Sequence, residues 1–220
     1  MYTSDQMTED IKRGSWIRRM FEEGLELKKV HGADKVFDFT LGSPCVEPPP
    51  QFQKALEAAV ADMTPGMHTY MQNPGYPATR AAVAARLAAE TGLPFDASHL
   101  LMTVGAAGAS NVFLRSVLNQ DDEVIVIAPF FPEYSFYIKN QRGRQVISNA
   151  TADCLPDVAD LASRLTDRTR VLMVNSPCNP TGRMIPAEIL KEIGALLKAH
   201  SEKIGRPVFM LSDEPYRNLL

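Results

Sequence analysis

A carboxylate near the end of the chain follows an apolar segment that has the composition of a buried strand. Asp213 comes directly after VFMLS, and an ionised carboxylate at the tip of a buried strand is costly without a partner. A cationic ligand group would supply that partner, and Tyr216 could add a phenol hydroxyl to the same site. The alternative is structural, because Asp213 could instead cap the next helix.

Two amides lie in a second segment, NSPCNPTG, which covers residues 175–182. Its two X-Pro pairs and its final glycine predict an extended backbone that turns sharply. An amide on such a stiff loop is placed to hydrogen-bond a ligand oxygen, although Asn175 and Asn179 could also form two simple Asx turns. Cys178 lies between them, and the sequence leaves its role open.

Small residues and aromatic rings provide two further candidate contacts. The segment GAAGAS at 105–110 runs into a helical pattern, so the N–H groups of its first turn are expected to bind an anion. Tight packing of helix against strand is the alternative use of such small residues. Phe130 and Phe131 precede a proline at a helix start, and one ring could stack on a planar ligand or belong to the core.

Alternating strand and helix patterns connect these segments and predict βαβ units with a parallel sheet. The predicted strands cover residues 101–104, 123–128, 145–148, 171–175 and 208–212. The predicted helices among them cover residues 106–118, 132–140, 156–165 and 186–200. Because ligands of open parallel sheets bind beyond the carboxyl ends of the strands, we expect the candidate segments to meet there.

The first hundred residues have a different pattern. They predict helices at 15–30, 51–63 and 78–91 and a short strand at 36–42. The irregular stretch 64–77 is rich in Gly, Pro and Asn, and its aromatic residues favour a functional loop over a linker.

Composition and charge exclude several classes of partner. The 220 residues are 45% apolar and 22% charged, which is typical of one globular α/β domain, with or without a small appendage. A net charge of −3 without a basic cluster argues against nucleic acid. No apolar run reaches the ~18 residues of a membrane span, and the polar, acidic start is unlike a targeting peptide, so we expect a cytoplasmic protein. The three cysteines and four histidines show no metal-ligand spacing.

In this order, TVGAAGA, APFFPEY, NSPCNPTG and SDEPY resemble the class I and II aminotransferases of the aspartate aminotransferase fold, which use pyridoxal 5′-phosphate. The upstream segments LGSPCVEPP and YMQNPGYPATRAAV are similar to the same family. The resemblance implies a three-layer α/β fold in which helices cover both faces of a mostly parallel sheet. It also implies that residues 1–40 belong to a small domain and residues 41–220 to the large cofactor-binding domain, incomplete at its C-terminal end.

The resemblance implies that seven residues bind the cofactor. They are Gly105, Ala106, Ala107, Phe131, Asn179, Asp213 and Tyr216. The first three would form the phosphate cup, and Phe131 would stack on the pyridine ring. Asn179 and Tyr216 would donate hydrogen bonds to the phenolic oxygen, while Asp213 would face the pyridine nitrogen and keep it protonated.

Catalytic, substrate and assembly roles follow from the same resemblance. Asp213, Tyr216 and Tyr70 are the implied catalytic residues, and Gly42 and Asn179 are the implied contacts of the substrate. Tyr70 would reach the cofactor phosphate of the other subunit, which implies a homodimer with a shared active site.

The implied activity is the transfer of an amino group between an amino acid and a 2-oxo acid. The family attaches its cofactor to a lysine that would lie beyond Leu220, so we expect these 220 residues to be inactive alone. Two alternatives remain open at this point. One is a carbon–sulfur lyase that uses the same cofactor apparatus, and the other is a non-catalytic cofactor-binding domain.

Overall fold

The structure, a computed structural model, describes residues 2–40, 42 and 46–217, with side chains described for all of these except 13–18. The chain divides into two compact units, Met1–Thr69 and Tyr70–Leu220. The segment 1–40 therefore lies within the first unit. Its assignment to a small domain, and that of 41–220 to a large domain, stay predictions.

The first unit is built mainly of two helices, α1 (Asp5–His31) and α2 (Pro50–Ala61). Helix α1 begins ten residues earlier than predicted, because Ser4 caps it by accepting a hydrogen bond from the Met7 amide at 3.2 Å. A proline opens α2, where its missing N–H has no intrahelical acceptor to lose. A short 3₁₀ turn, Ala33–Lys35, follows α1.

The predicted strand at 36–42 is wrong. Its described residues form no strand, and Phe37 and Phe39 are exposed. Asp38 instead closes a local turn, since its carboxylate accepts hydrogen bonds from the Thr40 amide at 3.0 Å and the Thr40 hydroxyl at 2.6 Å. These bonds and that from Lys28 hold the pKa of Asp38 well below its usual range. Alternation of apolar residues predicted a strand, but the described part of this unit offers no partner strand for it.

The second unit contains a sheet of four parallel strands in the order β2-β1-β3-β4. The strands are β1 (Glu123–Ala128), β2 (Arg144–Asn149), β3 (Thr169–Asn175) and β4 (Phe209–Asp213). The helices are α3 (Pro77–Thr91), α4 (Gly105–Val117), α5 (Tyr134–Asn140), α6 (Val158–Arg164) and α7 (Ala187–Ile204), with a 3₁₀ turn at Ala97–His99. The predicted α/β class with a parallel sheet is confirmed, and helix ends differ from the predictions by at most four residues.

Helices cover both faces of this sheet, as its side-chain pattern requires. The buried cluster on one face combines strand residues with residues of α4 and α5: Leu114, Val124, Val126, Tyr134, Ile138, Val171 and Met173. The cluster on the other face uses the alternate strand positions with α6 and α7: Ile125, Leu161, Leu172, Val174, Ile193 and Leu197. Each fully buried aliphatic side chain contributes about 1.5–3 kcal/mol, so the two clusters hold the strand ends in fixed positions.

The predicted strand at 101–104 is also wrong. Val104 is 94% exposed, and no described strand lies beside this segment. A strand requires a neighbour for its N–H and C=O groups, whereas here the Met102 amide donates to the Pro74 carbonyl at 2.9 Å. The Met102 side chain also packs closely against Gly75, because a Cβ added at this glycine would lie 2.6 Å from it. Gly75 has a φ of 102°. The segment therefore supports the loop before α3.

Candidate functional site

Asn175 joins two of the predicted segments at the carboxyl end of the sheet. It pairs in register with Asp213 across β3 and β4, and its side-chain amide donates to the Asp213 backbone carbonyl at 2.8 Å. Its Oδ1 accepts a hydrogen bond from the Asn179 amide at 2.6 Å. One buried side chain therefore fixes the path of both the 175–182 loop and the end of β4.

A cavity of about 270 Å³ lies at these strand ends. Its lining is Ala106, Ala107, Ser110, Phe131, Tyr137, Asn175, Asn179, Asp213, Pro215 and Tyr216. The structure thus brings together six of the seven residues predicted to bind a cofactor, and the seventh, Gly105, precedes Ala106 at the start of α4. Tyr70, in contrast, is fully exposed and does not line the cavity. Gly42 belongs to the first unit.

The N-terminus of α4 forms one end of the site. No side chain of the described residues caps this helix, and the first intrahelical bond joins the Gly108 amide to the Val104 carbonyl at 3.3 Å. The amides of Ala106 and Ala107 precede that bond, so the helix provides no acceptor for them. Gly105 has a φ of 67°, which favours glycine and lets the chain turn into the helix. An uncapped helix start with exposed N–H groups suits an anion.

Asp213 supplies the negative charge of the site. The Tyr134 hydroxyl donates to its Oδ2 at 2.6 Å, whereas no described residue donates a hydrogen bond to Oδ1. Burial, reinforced by the bond to Asp213, raises the pKa of Tyr134 well above its usual value, so the phenol keeps its proton and remains a donor. Asp213 is thus a held carboxylate with one oxygen still able to accept a hydrogen bond.

Aromatic rings pack against one another beside the site, and one pair makes an edge-to-face contact. The Phe131 and Tyr134 ring centroids are 5.6 Å apart, with an angle of 84° between the ring planes. Tyr137 lies 6.3 Å from Tyr134 and lines the same cavity as Phe131. This packing restricts the plane of the Phe131 ring at the cavity wall.

A sequence profile of the family described as aminotransferase class I and II matches residues 34–219. The chain belongs to this family. It is similar to an aspartate/prephenate aminotransferase of Thermus thermophilus, with 31% identity over 90% of this chain and 49% of that protein. It is also similar to a probable N-acetyl-LL-diaminopimelate aminotransferase of Bacillus subtilis, with 33% identity over 84% of this chain and 46% of that protein.

Solved structures show the same relationship. An aminotransferase from Eubacterium rectale is 34% identical and superposes with a TM-score of 0.93, which covers all of this chain and 56% of that one. The chain therefore spans about half the length of the curated aminotransferases that it matches.

The cavity fits pyridoxal 5′-phosphate, the cofactor that this aminotransferase family implies. The cofactor combines a phosphate, an aromatic ring and a basic ring nitrogen, and the described residues offer a suitable group for each. The uncapped start of α4 suits the phosphate, the Phe131 ring suits the aromatic plane, and the Asp213 carboxylate suits a protonated nitrogen. Within the described ranges, no group of three or more His, Cys, Asp or Glu side chains could hold a metal ion.

Sequence reasoning missed Tyr134 and the bridging role of Asn175. The signal for Tyr134 was its place three residues after Phe131 in APFFPEY, but its partner Asp213 lies 79 residues away along the chain. Ser110 and Tyr137 were missed because lining a cavity depends on helix packing. Cys178, whose role was left open, borders a separate cavity of about 30 Å³ and contacts the Pro129 carbonyl at 3.7 Å.

Proposed function

We propose that the protein is a pyridoxal-phosphate-dependent aminotransferase that moves an amino group between an amino acid and a 2-oxo acid. The observation that carries this proposal is a cavity lined both by the uncapped start of α4, an anion site, and by the Asp213 carboxylate. Family membership supports the same activity, because the relatives are named as aminotransferases. The alternatives of a carbon–sulfur lyase and a non-catalytic binding domain are not favoured, since neither name occurs among these relatives.

Four of the lining residues bind the phosphate and the ring in this proposal. The Ala106 and Ala107 amides bind the phosphate, and Phe131 fixes the plane of the ring. Asp213 holds a proton at the ring nitrogen, which maintains the electron-accepting character of the ring. When bound, the cofactor supplies an electron sink for the bond that breaks at the substrate carbon.

Asn179 and Tyr216 complete the ring contacts. Both line the cavity, and both carry groups that can donate a hydrogen bond to the phenolic oxygen of the cofactor. Asn179 also remains our candidate for the substrate carboxylate, together with Gly42.

The assembly that we propose is a homodimer. The loop 64–77 exposes Met67, Tyr70, Met71 and Tyr76, which is more apolar surface than a free loop usually presents. Burial of this loop against a second copy would bring Tyr70 to the phosphate of the other subunit.

Mixing variants tests this shared site in the full-length protein. A Tyr70→Phe subunit and an Asp213→Ala subunit each carry one defect, and a mixed dimer rebuilds one intact centre, so activity is expected to return on mixing. Mixing two preparations of the Asp213→Ala protein is the control and restores nothing. Subunits that demonstrably exchange without any recovery of activity would contradict the role of Tyr70.

We further propose a cytoplasmic role in amino-acid biosynthesis. The described cysteines, Cys154 and Cys178, are free thiols, as is usual in a reducing compartment. No helix in the described part of the chain is long and apolar enough to cross a membrane.

A direct test uses the full-length protein. After purification with added pyridoxal phosphate and removal of the excess, denaturation is expected to release about one cofactor per chain, measured by its absorbance and mass. Transfer of ¹⁵N from a panel of labelled amino acids to 2-oxo acids, followed by mass spectrometry, then identifies the substrate class. Protein that binds no cofactor and transfers no label from any member of the panel would overturn the proposal.

A further inference from the structure

Tyr134 touches the cofactor site without lining it. Its side chain is 3% exposed and borders the separate cavity of about 30 Å³, whereas the larger cavity is lined by its partners Phe131 and Asp213. Asn175 borders both cavities and so belongs to the wall between them. Any influence of Tyr134 on a bound ligand must therefore pass through its neighbours.

The Tyr134 hydroxyl has one oxygen of Asp213 as its partner. The O···O distance of 2.6 Å is in the range of a charge-assisted hydrogen bond, which is about twice as strong as a neutral one. Because the phenol remains protonated, the bond runs from the Tyr134 hydroxyl as donor to the Asp213 carboxylate as acceptor. Oδ2 is thereby occupied, and Oδ1 is the oxygen left for a ligand.

Asp213 is held at two points. Tyr134 binds its side chain, and Asn175 binds its backbone carbonyl at 2.8 Å. The backbone contact fixes where the residue stands, but rotation about the side-chain bonds is restricted by Tyr134 alone among the hydrogen bonds of the described residues. The edge contact of Tyr134 with Phe131 at 5.6 Å links this carboxylate to the aromatic wall.

We infer that Tyr134 is a positioning residue, which orients the Asp213 carboxylate so that Oδ1 meets a protonated ring nitrogen of the bound cofactor. This inference rests on the proposed function. Tyr134 exchanges no proton with the ligand and forms no contact with it. Tyr134 contributes only by orienting the Asp213 carboxylate. The Tyr134–Asp213 hydrogen bond should therefore favour ligands that carry the ring nitrogen over ligands of the same shape that lack this nitrogen.

The test compares two non-covalent ligands on the apo form of the full-length protein. One is pyridoxamine 5′-phosphate, and the other is its analogue with a C–H group in place of the ring nitrogen. Titration calorimetry gives the dissociation constant of each ligand. The affinity ratio is the dissociation constant of the analogue divided by that of pyridoxamine phosphate. In Tyr134→Phe we expect binding of pyridoxamine phosphate to weaken about tenfold while binding of the analogue changes less than about twofold, because only the former uses the oriented carboxylate.

A matched control separates this effect from general damage. Tyr137→Phe removes a hydroxyl from the same helix, and any change in affinity should then be equal for the two ligands. If Tyr134→Phe weakens both ligands by the same factor, or neither, the positioning role is wrong. Should this variant not fold, p-aminophenylalanine at position 134 is the alternative, because it keeps the ring and replaces the hydroxyl by a weaker donor. The affinity ratio of that variant should be at least twofold lower than that of the wild type. An unchanged ratio in that variant would overturn the inference.

Failure of the proposed function gives a different result. Asp213→Asn removes the charge, so the preference for the nitrogen-containing ligand should be lost whatever Tyr134 does. If Asp213→Asn keeps the full preference, Asp213 does not face the ring nitrogen and the proposed site itself is wrong. If Asp213→Asn loses the preference but Tyr134→Phe retains it, only the role of Tyr134 fails.

Discussion

The carboxylates at the two ends of the sheet differ in how many partners they have. At the amino end, Asp122 is 5% exposed and receives two hydrogen bonds from Arg206, at 3.0 Å and 2.7 Å, and one from the Asn119 amide. At the carboxyl end, Asp213 has one donor to its side chain and faces a cavity. A fully partnered carboxylate stabilises the fold, whereas a carboxylate with an unused oxygen can bind a ligand.

The helix ends repeat this contrast. Asp157 caps α6 by accepting hydrogen bonds from the Ala159 and Asp160 amides, both at 3.0 Å. No described side chain does this for α4, whose start faces the cavity. The candidate site is thus marked by polar groups that the described residues leave without a partner.

The largest expected effect comes from Asp213→Ala in the full-length protein. Removing the carboxylate should lower kcat/KM by about 100- to 1000-fold, because the ring nitrogen loses the group that stabilises its charge. Stability should fall only by about 1–3 kcal/mol, from the Tyr134 hydroxyl left unpaired. Steady-state kinetics and urea unfolding measure the two quantities. The matched control is Asp167→Ala, an exposed turn residue, and an activity loss of equal size there would contradict the assignment.

The opposite pattern is expected for Asp122→Ala. Breaking this pair leaves Arg206 without its carboxylate and should cost about 3 kcal/mol of unfolding free energy, while kcat/KM of the folded enzyme stays within about twofold. Urea unfolding and kinetics on the same samples test both statements. If Asp122→Ala lowers kcat/KM well beyond twofold and leaves the free energy of unfolding nearly unchanged, the contrast between the two sheet ends is wrong.

The sequence predicted much of the carboxyl end of the sheet. The parallel sheet and the meeting of strand ends followed from alternation and motif order. Strands β1 and β3 end at Ala128 and Asn175, shortly before Phe131 and Asn179, and β4 ends at Asp213. The strands at 36–42 and 101–104 were wrong because local pattern does not reveal whether a partner strand exists. The Tyr134–Asp213 bond could not be predicted, because a hydrogen bond over 79 residues depends on how α5 packs against the sheet.

A smaller effect should appear as a pH dependence of stability. Burial alone would raise the pKa of Asp122, but the hydrogen bonds from Arg206 and Asn119 outweigh burial and lower this pKa below its ordinary value. The stabilisation is therefore fully present above the unfolded pKa of about 3.9 and is lost as the pH falls through the folded value. The stability difference between wild type and Asp122→Asn should shrink below about pH 4, as measured by urea unfolding at several pH values. A difference that grows on acidification would refute this linkage.

The smallest effects are expected at two glycines. Gly105 lies at the start of α4, beside the candidate site, and Gly194 lies inside α7. An added Cβ meets nothing within 4 Å at either Gly105 or Gly194, so sterics with neighbours do not distinguish them. Gly105 has a φ of 67°, and Gly105→Ala should cost about 1 kcal/mol of stability and weaken binding of pyridoxamine phosphate several-fold, since it disturbs the amides of the phosphate cup. Gly194 lies inside α7, where alanine restricts the unfolded chain and favours the helix, so Gly194→Ala should stabilise by about 0.5–1 kcal/mol.

Thermal unfolding and calorimetry on the two variants measure these opposite signs. Equal changes in stability at both positions would show that the backbone at the start of α4 is relaxed rather than held in its left-handed conformation. A Gly105→Ala protein that loses stability but binds pyridoxamine phosphate as tightly as wild type would separate the turn from the ligand. In that case the helix start would be a structural corner like the capped end of α6, and the anion would have to be bound elsewhere in the cavity.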